Sequence, residues 1–133
     1  MEMLEVRTRQ RDQFVEITED VQRLVSKSGL RHGAVTVYVP HTTAGVTINE
    51  NADPDVVHDM LLTLRRLIPK DAPGYRHAEG NSDSHVKASM LGSSCHVLIE
   101  EGQLVLGQWQ GIYLCEFDGP RTRRVFVQTL VGQ

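Results

Sequence analysis

The chain contains no run of apolar residues approaching the ~18 that a membrane-spanning helix needs, and its first ten residues, MEMLEVRTRQ, carry no apolar signal core. The expectation is a soluble, cytoplasmic protein with no membrane partner. Cysteine is scarce: Cys95 and Cys115 are the two present, and neither lies in a close pair. Both sit in apolar, strand-like surroundings, so they read as small core residues in a reducing compartment rather than as a disulfide. Positive charge is not in excess either. A formal charge of −3 argues against a general nucleic-acid binder, which would present a basic face to phosphates. The single tryptophan, Trp109, has nothing around it to mark a stacking platform and is expected in a core or subunit contact. Repeats, linkers and low-complexity tracts are absent, and 133 residues suit one domain spanning residues 1–133. A chain near this size buries roughly two thirds of its unfolded surface, enough for a core without staples.

What is present is an alternation of strand and helix patterns. Leu4, Val6 and Thr8, then Phe14 to Ile17, suggest an opening pair of strands. Thr18 is placed to cap a helix in which Val21, Leu24 and Val25 share a face and Gly29 supplies the stop. Val35, Val37 and Val39 alternate as a half-buried strand ended by Pro40, and Val46 with Ile48 form the next. Asp53 and Pro54 give an N-cap and a first-position proline to a helix carrying Val57, Met60, Leu61, Leu64 and Ile68. A surface loop follows from Pro69 to Tyr75, then a short helix from about Ser82 to Leu91 that ends near Gly92. Strands are expected at Cys95 to Glu100, Gln103 to Leu106, Gln110 to Phe117 and Arg123 to Val131. The fold class is therefore α+β, with a mixed or largely antiparallel sheet and about three helices. In the last strand Val125, Val127, Thr129 and Val131 fill one face while Phe126 and Leu130 fall on the other. A strand apolar on both faces has to be covered on both sides, and with only three helices this favours an oligomer.

Chemistry concentrates in RHAEGNSDSHVKAS, residues 76–89, with two histidines, two carboxylates, an asparagine and a lysine in one turn-plus-helix segment. The short polar residues from Gly80 to Ser84 suit a helix start, where free backbone N–H groups donate to short polar side chains. His77, Asp83 and His85 could converge there on one ligand or metal ion. A second segment, PHTTAGVTINENADPD at 40–55, places His41, Thr42 and Thr43 before a strand and Asn49, Glu50, Asn51 and Asp53 after it. If the strands on either side of Pro40 pair as a hairpin, these groups lie at opposite ends. If they run in different sheets, His41 could approach the 49–53 turn. Asp53 is best explained as a helix cap, and Asn49 and Asn51 suit a turn. Glu50 has no cap or core role and is the better acid–base candidate. Lys87, four residues after Asp83, would form a helical ion pair or face an anionic substrate. Ser93 and Ser94 are turn residues whose hydroxyls could meet phosphate. Asp118 and Arg121 flank a turn and could aim a guanidinium at phosphate. Arg65 and Arg66 suit a solvated helix C-terminus. His58 and His96 carry no functional expectation.

Three blocks, HTTAGVTINENADPD, RHAEGNSDSHVKASMLGSS and LGQWQGIYLCEFDGPRTR, resemble the signature segments of the YjbQ family, in the family's order and with compatible spacing. Members of that family have been described as having a secondary thiamine-phosphate synthase activity. The resemblance implies a compact α+β domain, a homotrimer, and a pocket of histidines and acidic residues holding a divalent metal such as zinc or magnesium. It implies His41, His77 and His85 as metal ligands and Glu50, Asp83 and His85 as catalytic groups. Thr42, Thr43, Asn49, Asn51, Asn81, Lys87 and Arg121 would bind a phosphorylated small-molecule substrate. Ser84 departs from the alanine expected there at least as often. The implied reaction joins a hydroxymethylpyrimidine diphosphate to a thiazole phosphate and releases diphosphate, a step that needs the leaving charge neutralised. The alternatives are a metal-dependent hydrolase of a phosphorylated small molecule and a non-catalytic ligand-binding trimer.

Overall fold

Two antiparallel sheets and three helices make up the fold in the computed structural model, which describes residues 1–132. In chain order the elements are β1 (Glu2–Arg7), β2 (Gln13–Glu16), α1 (Thr18–Ser28), β3 (His32–Tyr38), β4 (Ala44–Glu50), α2 (Pro54–Leu67), α3 (Ser82–Leu91), β5 (Ser94–Glu100), β6 (Gln103–Leu104), β7 (Gln110–Glu116) and β8 (Thr122–Val131). The larger sheet has the order β1-β8-β3-β5-β6 and the smaller β2-β7-β4. The opening strands do not pair with each other. β1 joins β8 in one sheet and β2 joins β7 in the other.

Alternation along the strands explains the layering. Val6, Val35, Val37, Val97, Ile99, Val125 and Val127 of the larger sheet meet Ala44, Val46, Ile112 and Leu114 of the smaller, with Val21 and Val25 of α1 in the same core. The opposite face of the smaller sheet presents Phe14, Tyr113 and Cys115, and with Phe117 these pack on Leu61, Leu64, Ala88 and Leu91 of α2 and α3. The smaller sheet is thus buried on both faces, which accounts for the near-continuous apolar run of β7. Cys95 and Cys115 are both free thiols, and burial pushes the Cys95 thiol up to about 11.

Among the described residues no helix covers the outer face of the larger sheet. Tyr38 and Phe126 stack there at 6.5 Å, and Met3, Leu98 and Leu130 remain exposed. The two-faced character of β8 is therefore only half resolved within one chain. Trp109 is also exposed rather than in the core.

Local signals explain the helix ends. Asp53 accepts a hydrogen bond from the Asp55 N–H at 2.9 Å, and Pro54 takes the first helical position. Gly29 closes α1 in the left-handed conformation. Thr18 does not cap α1. Its hydroxyl accepts from the Ile112 N–H at 2.8 Å and donates to Glu16, pinning the helix to β7. No described helix is long and apolar enough to cross a membrane.

Candidate functional site

The segment between β3 and β4 carries His41 to Thr43 across from one sheet to the other, and a buried ion pair fixes its path. Glu116 and Arg123, both fully buried, sit at the end of β7 and the start of β8. The Arg123 guanidinium donates from Nε to Glu116 at 2.9 Å and from Nη2 to the second oxygen of the same carboxylate. Thr8 and the N–H groups of Phe117 and Asp118 also donate to that carboxylate. Arg123 Nη2 further donates to the carbonyl and hydroxyl of Thr43, at 3.2 and 2.8 Å. Buried charges persist only when paired and bonded in this way. Thr43, expected to contact substrate, is buried and its polar atoms are engaged by Arg123.

His41 follows from this anchor. Its Nε2 accepts the backbone N–H of Arg124 at 3.0 Å. Burial, then the positive charge of Arg123, hold the imidazole below its ordinary pKa. The ring is therefore neutral at pH 7 with its proton on Nδ1, because Nε2 is the acceptor. His41 in this state is a donor through Nδ1.

α3 supplies the facing wall. Gly45 of β4 permits the approach, since a Cβ there would lie 2.6 Å from the Gly92 carbonyl oxygen. The Val46 N–H donates to that carbonyl at 3.0 Å, and the Val39 N–H donates to the Ser93 carbonyl at 2.7 Å. Between the two walls lies a cleft of about 480 Å³ lined by His41, Thr42, His85, Ser89 and Ser93, with Ala44, Ala88 and Gly92 completing it. His77 adjoins from the loop before α3, its ring edge-to-face with His85 at 5.6 Å. His41 and His85 thus line one cleft, and His77 touches His85 without lining it.

The rest of the 76–89 segment divides. Successive helical residues turn by about 100°, so 83 and 87 share one face and 85 and 89 another. Asp83 and Lys87 lie away from the cleft. Asp83 is fully buried and takes a two-pronged bond from Arg11, 3.0 Å at each oxygen, and a third from Lys87 Nζ at 2.9 Å. Burial by itself would raise this carboxyl, but the bonds from Arg11 and Lys87 outweigh it and lower it to about 2. It is ionised and saturated, which is a poor state for a proton carrier. Asn81 Nδ2 donates to Asp118 at 2.8 Å, and Arg121 pairs with the same carboxylate at 3.0 Å. Asn81 Oδ1 is buried without a hydrogen-bond partner.

Asn49, Glu50 and Asn51 stand at the far end of β4. β3 and β4 do lie in different sheets, yet His41 does not reach the 49–53 turn, because the seven residues of β4 separate them by roughly 20 Å of extended chain. Asn51 donates to Glu16 at 3.1 Å, Asn49 accepts from the Glu50 N–H at 2.7 Å, and Tyr113 donates to the Glu50 carbonyl at 3.0 Å. Glu50 and His85 therefore do not share a pocket within one chain.

The imidazoles do not fit a metal ion as they stand. Among the described residues no group of three or more His, Cys, Asp or Glu is arranged to hold one. His41 has Nε2 engaged and Nδ1 protonated, so it offers no lone pair. Sequence reading missed Thr8, Arg11, Glu116 and Arg123. Glu116 had a signal: a carboxylate inside the apolar run IYLCEF needs a buried cationic partner.

The family model described as UPF0047 protein YjbQ-like matches residues 2–132. UPF0047 protein YugU of Bacillus subtilis is 48% identical over 130 residues, covering 98% of each chain. UPF0047 protein YjbQ of Escherichia coli O157:H7 is 36% identical over 121 residues, with 88% of this chain and 87% of that one covered. A crystal structure of an uncharacterized YjbQ/UPF0047 protein from Clostridium acetobutylicum superposes with a TM-score of 0.95 at 52% identity, covering 98% of this chain and all of that one. A YjbQ-like protein of unknown function from Sulfolobus solfataricus superposes at 0.93 with 31% identity, covering 98% of this chain and 96% of that one. By full-length sequence match and by fold, this chain belongs to the UPF0047 YjbQ-like family.

Proposed function

We propose that the chain is a cytoplasmic transferase of the thiamine-phosphate synthase type that works in the cleft between His41 and His85. The observation that supports this reading is the cleft's set of hydrogen-bonding groups: a neutral imidazole donating through Nδ1, a second imidazole, and the hydroxyl-bearing residues Thr42, Ser89 and Ser93. Such groups suit the oxygens of a leaving diphosphate. In the reaction the thiazole nitrogen forms a C–N bond to the pyrimidine methylene carbon. The C–O bond to diphosphate breaks, and the leaving group departs with the electron pair. Donors aimed at the departing oxygens lower the barrier because charge grows there in the transition state. No step is assigned to a metal on His41, His77 and His85. Such a metal would require His41 to release the Arg124 N–H, and elemental analysis of the purified protein decides whether one is carried. The apolar outer face of the larger sheet is the surface by which copies would associate into a homotrimer.

The test is to mix the protein with hydroxymethylpyrimidine diphosphate and thiazole phosphate and to measure thiamine phosphate and diphosphate by mass spectrometry. Equimolar formation of both, lost in His85→Ala with the melting temperature kept, supports the reading. Absence of product, or a yield that His85→Ala leaves unchanged, overturns it. Hydrolysis of phosphoesters without condensation would favour the hydrolase instead.

A further inference from the structure

We propose a phosphate-binding pocket on the face of α3 opposite the cleft, between α3, the C-terminal end of α2 and the β1–β2 connection. It encloses about 270 Å³ and its charged lining is Arg11, Asp12, Arg65, Lys70, Asp83 and Lys87. Among the lining residues four cations stand against two carboxylates, an excess of two positive charges in a chain whose overall balance is −3. The excess is built in. Asp83 is shared by Arg11 and Lys87, so that trio carries one net positive charge, and Arg65 with Asp12 is neutral at 2.6 Å. Lys70 adds the second charge, with only a 3.9 Å approach to Asp71.

Donors are available to match the charge. The Lys87 side chain is 3% exposed, and its ammonium directs one of three N–H groups at Asp83. The other two need acceptors, because an ammonium out of bulk water is costly when its protons are unmatched. Arg11 uses three of its five N–H donors on Asp83 and Ser84. Arg65 and Lys70 stand at the rim with their side chains about half exposed, where they can close on an incoming anion. A tetrahedral dianion supplies both the two negative charges and the several acceptor oxygens this arrangement lacks. The volume, about nine waters' worth, admits one phosphate group with residual solvent. The ligand class is inorganic phosphate or the phosphate end of a monoester. This site does not depend on the transfer reaction, since it shares neither His41 nor His85.

Inorganic phosphate is the probe. Titrating it into the full chain in a non-phosphate buffer at low ionic strength should give saturable binding by calorimetry. Amide shifts should centre on Arg11, Lys70 and the first turn of α3. Lys70→Ala, which removes an exposed side chain and spares the buried trio, should weaken binding by roughly tenfold with the melting temperature kept. No saturable binding, an affinity that Lys70→Ala leaves unchanged, or shifts confined to residues 41–44 and 89–93, would each overturn the proposal.

Discussion

Replacing Asp83 with asparagine keeps the shape of the side chain and removes the one negative charge between Arg11 and Lys87. Lys87 is then left as a buried cation, 2% exposed overall, with no counter-charge on its own helix face. Breaking a buried pair by removing one partner costs about 3–5 kcal/mol, against the roughly 5–15 kcal/mol that stabilise a domain in total. With a urea m-value near 2 kcal/mol/M, the unfolding midpoint should fall by about 2 M. Lys87→Met added to Asp83→Asn should cost less than the sum of the two changes, because the second removes the group the first left stranded. The pH dependence gives an independent reading. The Asp83 carboxyl is lowered from 3.8 to about 2; burial opposes the shift, and the Arg11 and Lys87 bonds produce it. A depressed carboxylate contributes stability that is fully present above about pH 4 and lost as the pH falls towards 2, roughly 2 kcal/mol in all. Asp83→Asn should flatten that acid limb of the stability profile. A loss below about 1 kcal/mol in urea, with the acid limb unchanged, would refute the view of Asp83 as a saturated structural charge.

Gly45→Val should destabilise by about 1–3 kcal/mol, since its first carbon would meet the Gly92 carbonyl oxygen at 2.6 Å and force α3 from β4. Thermal melts with the wild type alongside measure this, and an unchanged melting temperature would show that the two elements have slack. His41 should titrate below 6.5 by two-dimensional NMR, burial and the Arg123 charge both disfavouring the cation, with its neutral form protonated at Nδ1. A pKa above 6.5, or a proton on Nε2, would remove the donor assigned to the cleft.

Much of the local structure is readable from the residues because local physics sets it. The Asp53-Pro54 start of α2, the Gly29 stop of α1 and the extent of α3 all rest on interactions within a few positions. Strand pairing is another matter. β1 and β2 look like a hairpin by proximity, yet their partners lie more than a hundred residues away or nearly so, and no local rule encodes that choice. The candidate site behaves similarly. His41 and His85 line one cleft because Gly45 lets β4 close on the end of α3, whereas Asp83 and His85, two residues apart, face different pockets by helix geometry alone. Density in sequence was a guide to where chemistry lies and not to which groups share it. Arg11 had no signal at all, standing in the polar run TRQRDQ.

β8 occupies the second position in the larger sheet, hydrogen-bonded to β1 on one side and β3 on the other. The first strand therefore has no partner in its sheet until β8, distant in the chain, is in place beside it. Until then one edge of β3 and the flank of β1 stand open, and closing β1 on β8 means closing a loop of more than a hundred residues. Without residues 122–131 the first strand would lose its partner and β3 would keep an unpaired edge, a template for pairing with other chains.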